Sequence, residues 1–393
     1  MLLEILCYTL GMNYERLLKI PEDYPKSILL LGPRGTGKTH WVKKNFPHAI
    51  YLDLLDADVY LNLQRNIKHL SDYIPPQFNN WIVLDEVQKL PALLDEVHRL
   101  IEHQGYQFIL TGSSARALRK KGTNLLAGRA IHYHMYPLTA IEMGEAFDLN
   151  RALTYGQLPS IPTEPDPLLY LKTYVQTYLR EEVMQEGLAR NLSVFSRFLE
   201  VASFSQGQVL NMSGIAREVG LSSQAINNYF ELLSDLLIGQ RLFVFNKRAK
   251  RKTVLHPKFY FFDTGIYNIL RPRMVLDSME EQEGVLFESL FLQEMRAIND
   301  YLKFNYEFYY WRTQIGLEVD FIAYGPTQLL AFEIKRKSYI DTKDLKNIHA
   351  FKEEYPAAKA YIIYGGDQIL YKKDVTCLPL EYALQHLVEI FKG

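Results

Sequence analysis

The chain has 393 residues, of which 48% are hydrophobic and 23% charged, with a formal net charge of −1. That length is more than one hydrophobic core usually serves and predicts two or three domains. The near-neutral balance excludes a globally basic protein, so any nucleic-acid surface must be local, and Cys7 and Cys377 alone exclude a disulfide framework.

In chain order, Met1-Leu2-Leu3-Glu4 lacks the positive start of a signal peptide, and no apolar run approaches a membrane span. With so few cysteines, a reducing cytoplasm is the expected location. Ser27-Ile28-Leu29-Leu30-Leu31 reads as a buried strand. It leads into Gly32-Pro33-Arg34-Gly35-Thr36-Gly37-Lys38-Thr39, which fits the phosphate-binding loop G-x-x-x-x-G-K-[ST]. The glycines let the backbone curl so that successive N–H groups face phosphate oxygens. Lys38 reaches the β- and γ-phosphates, and the Thr39 hydroxyl takes a place on Mg²⁺. The helix opened by Thr39 puts its N-terminus, where anions are favoured, at the phosphates.

Trp81-Ile82-Val83-Leu84-Asp85-Glu86 is an apolar strand ending in two carboxylates. Asp85 is placed to hold Mg²⁺, and Glu86 to orient or deprotonate the attacking water. No Asn-Lys-x-Asp guanine-reading motif occurs, which favours ATP over GTP. Phe108-Ile109-Leu110 is the next strand. Thr111 at its tip is a candidate γ-phosphate sensor or, alternatively, the N-cap of a helix starting near Ala115. Arg129 and Arg116 are candidates for the arginine that stabilises transition-state charge.

The proline-rich run 159–167 cannot be helical and marks the end of the nucleotide-binding core. Helical spacing follows over 168–190 and 192–204. Residues 212–231 carry the pattern of a helix-turn-helix: Ala216 where two helices cross, Gly220 in the turn, and Ile226 plugging the second helix into the core. Ser222 or Ser223 caps that helix. Gln224, Asn227 and Asn228 then face outward, able to read adenine edges, while Ile226, Phe230 and Leu233 pack inward. Lys247, Arg248, Lys250, Arg251 and Lys252 place five cations in six residues. Strands at 242–245 and 253–255 would make this run the wing of a hairpin that contacts DNA phosphates.

Toward the C-terminus, Glu288 lies on a predicted helix, and Glu318-Val319-Asp320-Phe321 and Phe332-Glu333-Ile334-Lys335 on two strands joined by a turn at 325–327. A hairpin centred between Pro326 and Thr327 sets Asp320 opposite Glu333 and Glu318 opposite Lys335, all four on one sheet face. Opposed like charges destabilise a sheet. A divalent cation between Asp320 and Glu333, completed by Glu288, removes the repulsion, and oxygen ligands suit Mg²⁺ or Mn²⁺. Lys335 would then serve phosphodiester hydrolysis. The alternative is a solvent-exposed hairpin with splayed carboxylates.

The whole pattern resembles prokaryotic AAA-type ATP-binding proteins whose C-terminal half is a domain of unknown function. That half is itself similar to a winged helix followed by a PD-(D/E)xK nuclease-like fold. The resemblance rests on residues 32–39, Asp85-Glu86, Leu110-Thr111-Gly112-Ser113-Ser114, Gly128-Arg129, Asp263-Thr264-Gly265, Leu286-Phe287-Glu288, Trp311-Arg312, Glu318-Val319-Asp320-Phe321 and Glu333-Ile334-Lys335. It implies an α/β fold with an ASCE-type P-loop parallel sheet, a winged helix-turn-helix and an α/β restriction-endonuclease-like domain. Glu288, Asp320, Glu333 and Lys335 match the catalytic pattern of that last domain. The expected boundaries are 1–165 for the ATPase core, 166–272 for the helical linker and winged helix, and 273–393 for the nuclease-like domain. The expected function is an ATP hydrolase that binds DNA and remodels or cleaves it with Mg²⁺, in a homo-oligomer that shares an arginine between copies. The rival is an ATP-dependent DNA- or protein-binding switch with an inactive nuclease-like domain. A third reading is a partner-recruiting ATPase whose basic wing meets an acidic protein.

Overall fold

The computed structural model describes residues 14–21, 24–114, 116, 128–179, 184, 192–246, 256–272 and 279–393. The chain divides into two compact units.

The first unit, Leu18–Pro137 with Asp235–Leu237, is built on a parallel sheet of β1 (Ser27–Leu31), β2 (Ile50–Asp53), β3 (Trp81–Asp85), β4 (Gln107–Gly112) and β5 (Ala130–His134). Their order is β2-β3-β4-β1-β5. β1 and β3 are buried along their whole length, as expected of parallel strands covered on both faces. Helix α1 (Lys38–Asn45) starts directly after Gly37. Helix α2 (Leu93–Gln104) buries Leu93, Leu94, Val97 and Leu100 as one stripe and ends at left-handed Gly105. Because β4 lies between β1 and β3, the ends of all three strands meet at one edge of the sheet.

The second unit comprises Met1–Leu17, Leu138–Ser234 and Ile238–Gly393. In it, α3 (Leu192–Ser203), α4 (Met212–Val219) and α5 (Ser223–Asp235) precede β6 (Gly239–Val244), β7 (Lys258–Phe261) and α6 (Thr264–Leu270). Then come α7 (Met279–Tyr301), β8 (Glu307–Arg312), β9 (Glu318–Tyr324), β10 (Leu329–Lys335), α8 (Lys346–Glu354), β11 (Lys359–Tyr364), β12 (Leu370–Lys372) and β13 (Val375–Pro379). The strands form one sheet, β12-β13-β11-β10-β9-β8-β6-β7. Phe291 and Met295 of α7 pack with Phe321, Ala323, Phe332 and Ile334. Ile348 and Phe351 of α8 pack with Val319, Ile322 and Ala331. The sheet therefore has an α7 face and an α8 face.

The α4–α5 pair follows its sequence pattern. Gly220 sits at φ 76, and both its N–H and that of Leu221 bond back to the Ala216 carbonyl at 3.0 Å, closing the helix end as a left-handed cap does. Ser222 Oγ accepts from Ala225 N at 3.2 Å, so Ser222 is the cap. Ile226, Phe230 and Leu233 are buried.

β6 covers most of the strand expected at 242–245. Residues 253–255 and the cations Lys247, Arg248, Lys250, Arg251 and Lys252 lie outside the described residues. β6 pairs antiparallel with β7 and parallel with β8, so its hairpin shares the large sheet and the sheet crosses the expected boundary at 272/273. Of the helix expected over 168–190, Pro167–Thr173 is α-helical and Tyr174–Leu179 π-helical, while 180–183 and 185–190 lie outside the described residues.

The two compact units divide at 137/138, ahead of the boundary expected at 165. A buried polar network follows that division. Glu294 Oε1 on α7 accepts from Ala140 N at 2.8 Å and from Gln157 Nε2 at 2.7 Å. Gln157 N in turn donates to Asp263 Oδ2 at 2.9 Å, and Asp263 caps α6 through Gly265 N and Ile266 N. Residues 138–157 are thereby tied into the second unit by donors that would be costly to strand in the core.

Burial pushes the Glu294 carboxyl up to about 8 and Asp263 up to about 6. Between the ordinary carboxylate range and those values the folded chain keeps protons that the unfolded chain releases, so stability falls as pH rises. One such proton corresponds to about 1.4 kcal/mol per pH unit. Glu294→Gln is therefore expected to lose less stability than the parent between pH 6.5 and pH 8, by one proton's worth of slope, in denaturant melts of the second unit. Equal slopes would contradict a protonated Glu294.

Candidate nucleotide site and acid cluster

The loop after β1 is shaped by residues that only glycine can replace. Gly35 and Gly37 sit at φ 81 and φ 90, and a Cβ on Gly32 would come within 2.3 Å of the Met135 carbonyl oxygen. Thr36 Oγ1 donates to Pro33 O at 2.8 Å, closing the turn around half-buried Arg34. Lys38 Nζ folds back on the same loop, donating to Gly32 O at 2.8 Å and Pro33 O at 3.1 Å.

At the strand ends, Asp85 is almost fully buried, at 2% exposure, and takes three hydroxyl donors. Thr39 Oγ1 reaches its Oδ2 at 2.7 Å, the Tyr51 hydroxyl bonds the same oxygen, and Thr111 Oγ1 bonds Oδ1. The phenol of Tyr51 is pushed far up, by burial first and then by its bond to Asp85. Thr39 and Asp85 present adjacent hard oxygens, which is what Mg²⁺ selects, so the pair fits the cation expected beside this loop. Bound there, it would neutralise phosphate charge. The chain itself supplies the cradle of N–H groups, the Lys38 ammonium and an anchored Asp85.

Glu86 adopts a left-handed conformation, φ 59, which is unusual outside glycine and concentrates at functional positions. Its N–H donates to Thr111 Oγ1 at 3.2 Å, so Thr111 joins the two acidic residues. Nearby, Ser114 Oγ accepts from Arg116 N at 3.1 Å. Of the two arginines, Arg129 is paired with Glu102, and Arg116 with Asp235 at 2.6 Å.

In the second unit, Gln224 and Asn228 are exposed on α5 and bonded to each other at 3.0 Å, and Asn227 bonds Glu231 at 2.9 Å.

The hairpin of β9 and β10 has the expected pairing, with Phe332 opposite Phe321 and Leu330 opposite Ala323. Its acids do not share one face. The β8–β9 register shifts between Tyr309 and Trp311, and such a bulge interrupts the strand's alternation. Glu333 continues the alternation of Ala331, accepts from Asn347 Nδ2 of α8 at 3.2 Å, and pairs with Lys335 at 2.7 Å. Glu288 belongs to α7 and accepts from Tyr260 OH at 2.9 Å. Asp320 lies between, its Oδ2 taking the Ile334 N–H at 2.8 Å.

The expected Glu318–Lys335 pair is replaced. Glu318 pairs with Lys258 at 2.5 Å and Arg312 at 3.4 Å, and Lys258 also lies 3.8 Å from Asp320. Burial works against the Lys258 charge, but Glu288, Asp320 and Glu318 hold its ammonium above the ordinary value. Burial first, then Asp320, pushes Glu288 up to about 8 and Glu333 up to about 8.

Among the described residues, no three His, Cys, Asp or Glu side chains come together to hold a metal ion. The set Glu288, Asp320 and Glu333 expected to bind Mg²⁺ or Mn²⁺ is not such a group, and Lys258 and Lys335 stand beside these carboxylates. Sequence reasoning missed Tyr51 and Lys258. Neither belongs to a motif, and each is found only by the strand that delivers it.

Residues 24–144 match the family model described as an AAA domain (AAA_14). Residues 147–277 and 283–383 match two domains of unknown function, DUF8612 and DUF4143. The uncharacterized protein Rv2008c of Mycobacterium tuberculosis is 25% identical over 352 residues, covering 86% of this chain and 76% of its own. The uncharacterized protein MJ1544 of Methanocaldococcus jannaschii is 24% identical over 340 residues, covering 78% and 74%. Two solved structures superpose loosely. The Aeropyrum pernix ORC1 protein in complex with DNA is 15% identical with a TM-score of 0.29, covering 63% of this chain and 86% of that one. The STAND protein PH0952 of Pyrococcus horikoshii is 15% identical with a TM-score of 0.21, covering 74% and 49%. The matched model, the glycine loop and the parallel sheet together make the first unit an AAA-type P-loop domain.

Lys38→Ala is expected to weaken ATP binding at least tenfold. Glu86→Gln is expected to keep ATP affinity near the parent value while turnover falls by about 10²-fold or more, because a general base acts on the water and not on the nucleotide. Equilibrium ATP binding and phosphate release measured on the same preparations check both.

Proposed function

We propose that this chain is an ATP hydrolase that binds DNA through its second unit and works as an ATP-dependent switch. The observation that carries the hydrolase reading is Asp85, anchored by three hydroxyls at the mouth of the glycine loop with Glu86 following it. The DNA reading is supported by the α4–α5 pair, whose second helix exposes Gln224 and Asn228, and by the five cations at 247–252. Gln and Asn side chains can read adenine edges, while lysines and arginines take phosphates.

A switch is favoured over cleavage because, among the described residues, no three His, Cys, Asp or Glu side chains are grouped to hold a metal ion. The homo-oligomer belongs to the same proposal. Arg116 and Arg129 are each engaged by an acid, so the arginine that completes the ATP site would come from a second copy.

Replacing Lys247, Arg248, Lys250, Arg251 and Lys252 with Ala is expected to weaken binding to all DNA sequences alike. It should also flatten the dependence of log affinity on log salt by about 0.9 per lost phosphate contact. The same DNAs, linear, single-stranded, flapped or four-way, are expected to stay intact with Mg²⁺ or Mn²⁺. Parent-like affinity and salt slope would remove DNA as the partner. Chelator-sensitive nicking lost in Asp320→Ala would restore the cleavage reading.

A further inference from the structure

Glu86 begins a tight 3-10 turn, Val87–Lys89, in which the Lys89 N–H bonds the Glu86 carbonyl at 2.9 Å. The turn brings the third side chain of the segment back over the first. Gln88 Nε2 bonds the Glu86 carboxylate and also Ser113 Oγ, at 2.8 Å. These two contacts fix which end of the carboxamide is the nitrogen, since the oxygen in its place would face a carboxylate with no proton between them. Gln88 Oε1 is buried and has no hydrogen-bond partner among the described residues. It lies 2.8 Å from where a Cβ on Gly112 would stand, so a side chain at 112 would displace the amide.

We infer that Gln88 is a positioning residue for hydrolysis: its amide bridges Glu86 to Ser113 at the tip of β4 and fixes the direction of the Glu86 carboxylate. A carboxylate at the end of a left-handed residue has several rotamers, and only a narrow range places it on an in-line water. Gln88 removes that freedom from one side, while the Thr111 hydroxyl holds the Glu86 backbone from the other. The bond to Ser113 connects this arrangement to the strand that lies between β1 and β3. No proton or bond is transferred at Gln88. Proton removal stays with Glu86, and Gln88 sets where that carboxylate points.

This inference rests on Glu86 acting on the water, and the experiment separates the two. ATP turnover and ATP affinity are measured for Gln88→Ala, Gln88→Glu, Ser113→Ala and Glu86→Gln, with a single-turnover rate to isolate the chemical step. Gln88→Ala is expected to lower kcat at least tenfold with KM and ATP affinity within twofold of the parent. Gln88→Glu keeps the volume but loses the donor, so its kcat should be as low. Ser113→Ala should give a smaller loss in kcat alone. Retained ATP affinity shows that a variant is folded at the site, and if Gln88→Ala fails that control, Gln88→Glu carries the comparison. Should Glu86→Gln be inactive while Gln88→Glu and Gln88→Ala turn over like the parent, this inference is wrong and the role of Glu86 stands. Should Glu86→Gln turn over normally, the role of Glu86 itself is wrong. A loss in Gln88→Ala that is recovered in the shape-matched Gln88→Glu would mean the residue only fills space, and that too would overturn the positioning role.

Discussion

A carboxylate taken out of water has to be met by protons or by a cation, and each unit of this chain answers that demand at its centre. In the first unit the carboxylate is Asp85, at the end of a fully buried strand, and the answer is three hydroxyls from α1, β2 and β4. Because those donors come from separate elements, the position of Asp85 depends on the whole sheet edge being assembled. The glycine loop, the left-handed Glu86 and the Gln88 amide are all arranged around that fixed point. Preorganisation of this kind lets a site act on developing charge without reorganising during the reaction.

In the second unit the same demand is met by ammonium groups. Lys258 on β7 and Lys335 on β10 stand beside Glu318, Asp320 and Glu333. Removing one partner of a buried ion pair usually costs about 3–5 kcal/mol, so these lysines hold the sheet together as much as they occupy a site. Glu294 is a third answer, a carboxyl held near neutrality by burial and used as an acceptor for Ala140 and Gln157. Those bonds tie residues after Pro137 into the second unit.

Much of this was legible in the sequence, for physical reasons. β1 and β3 are unbroken apolar runs, as strands buried on both faces must be, and the glycine loop has no substitute for its left-handed positions. The α4–α5 turn was legible from Gly220, and the β9–β10 pairing from the turn after Tyr324, which the Phe321–Phe332 register bears out. The shared face of Asp320 and Glu333 was not legible. A bulge in β9 carries no composition signature, yet one extra residue reverses the alternation on which the face assignment depended. Lys258 and Tyr51 were invisible for another reason. Their roles come from long-range pairing, of β7 and of β2, that nothing near them in the chain announces. The Pro-rich run at 159–167 suggested a boundary by composition, whereas the compact units divide at 137/138, just before residues whose polar atoms are bonded within the second unit.

The central claim is that ATP hydrolysis in the first unit is coupled to DNA held by the second. The most direct measurement is the steady-state rate of phosphate release from ATP and Mg²⁺, with and without linear, single-stranded and branched DNA, against Lys38→Ala as background. The account predicts turnover well above that background, changed several-fold by at least one DNA form. A rate indistinguishable from Lys38→Ala, or one that no DNA alters, would contradict it.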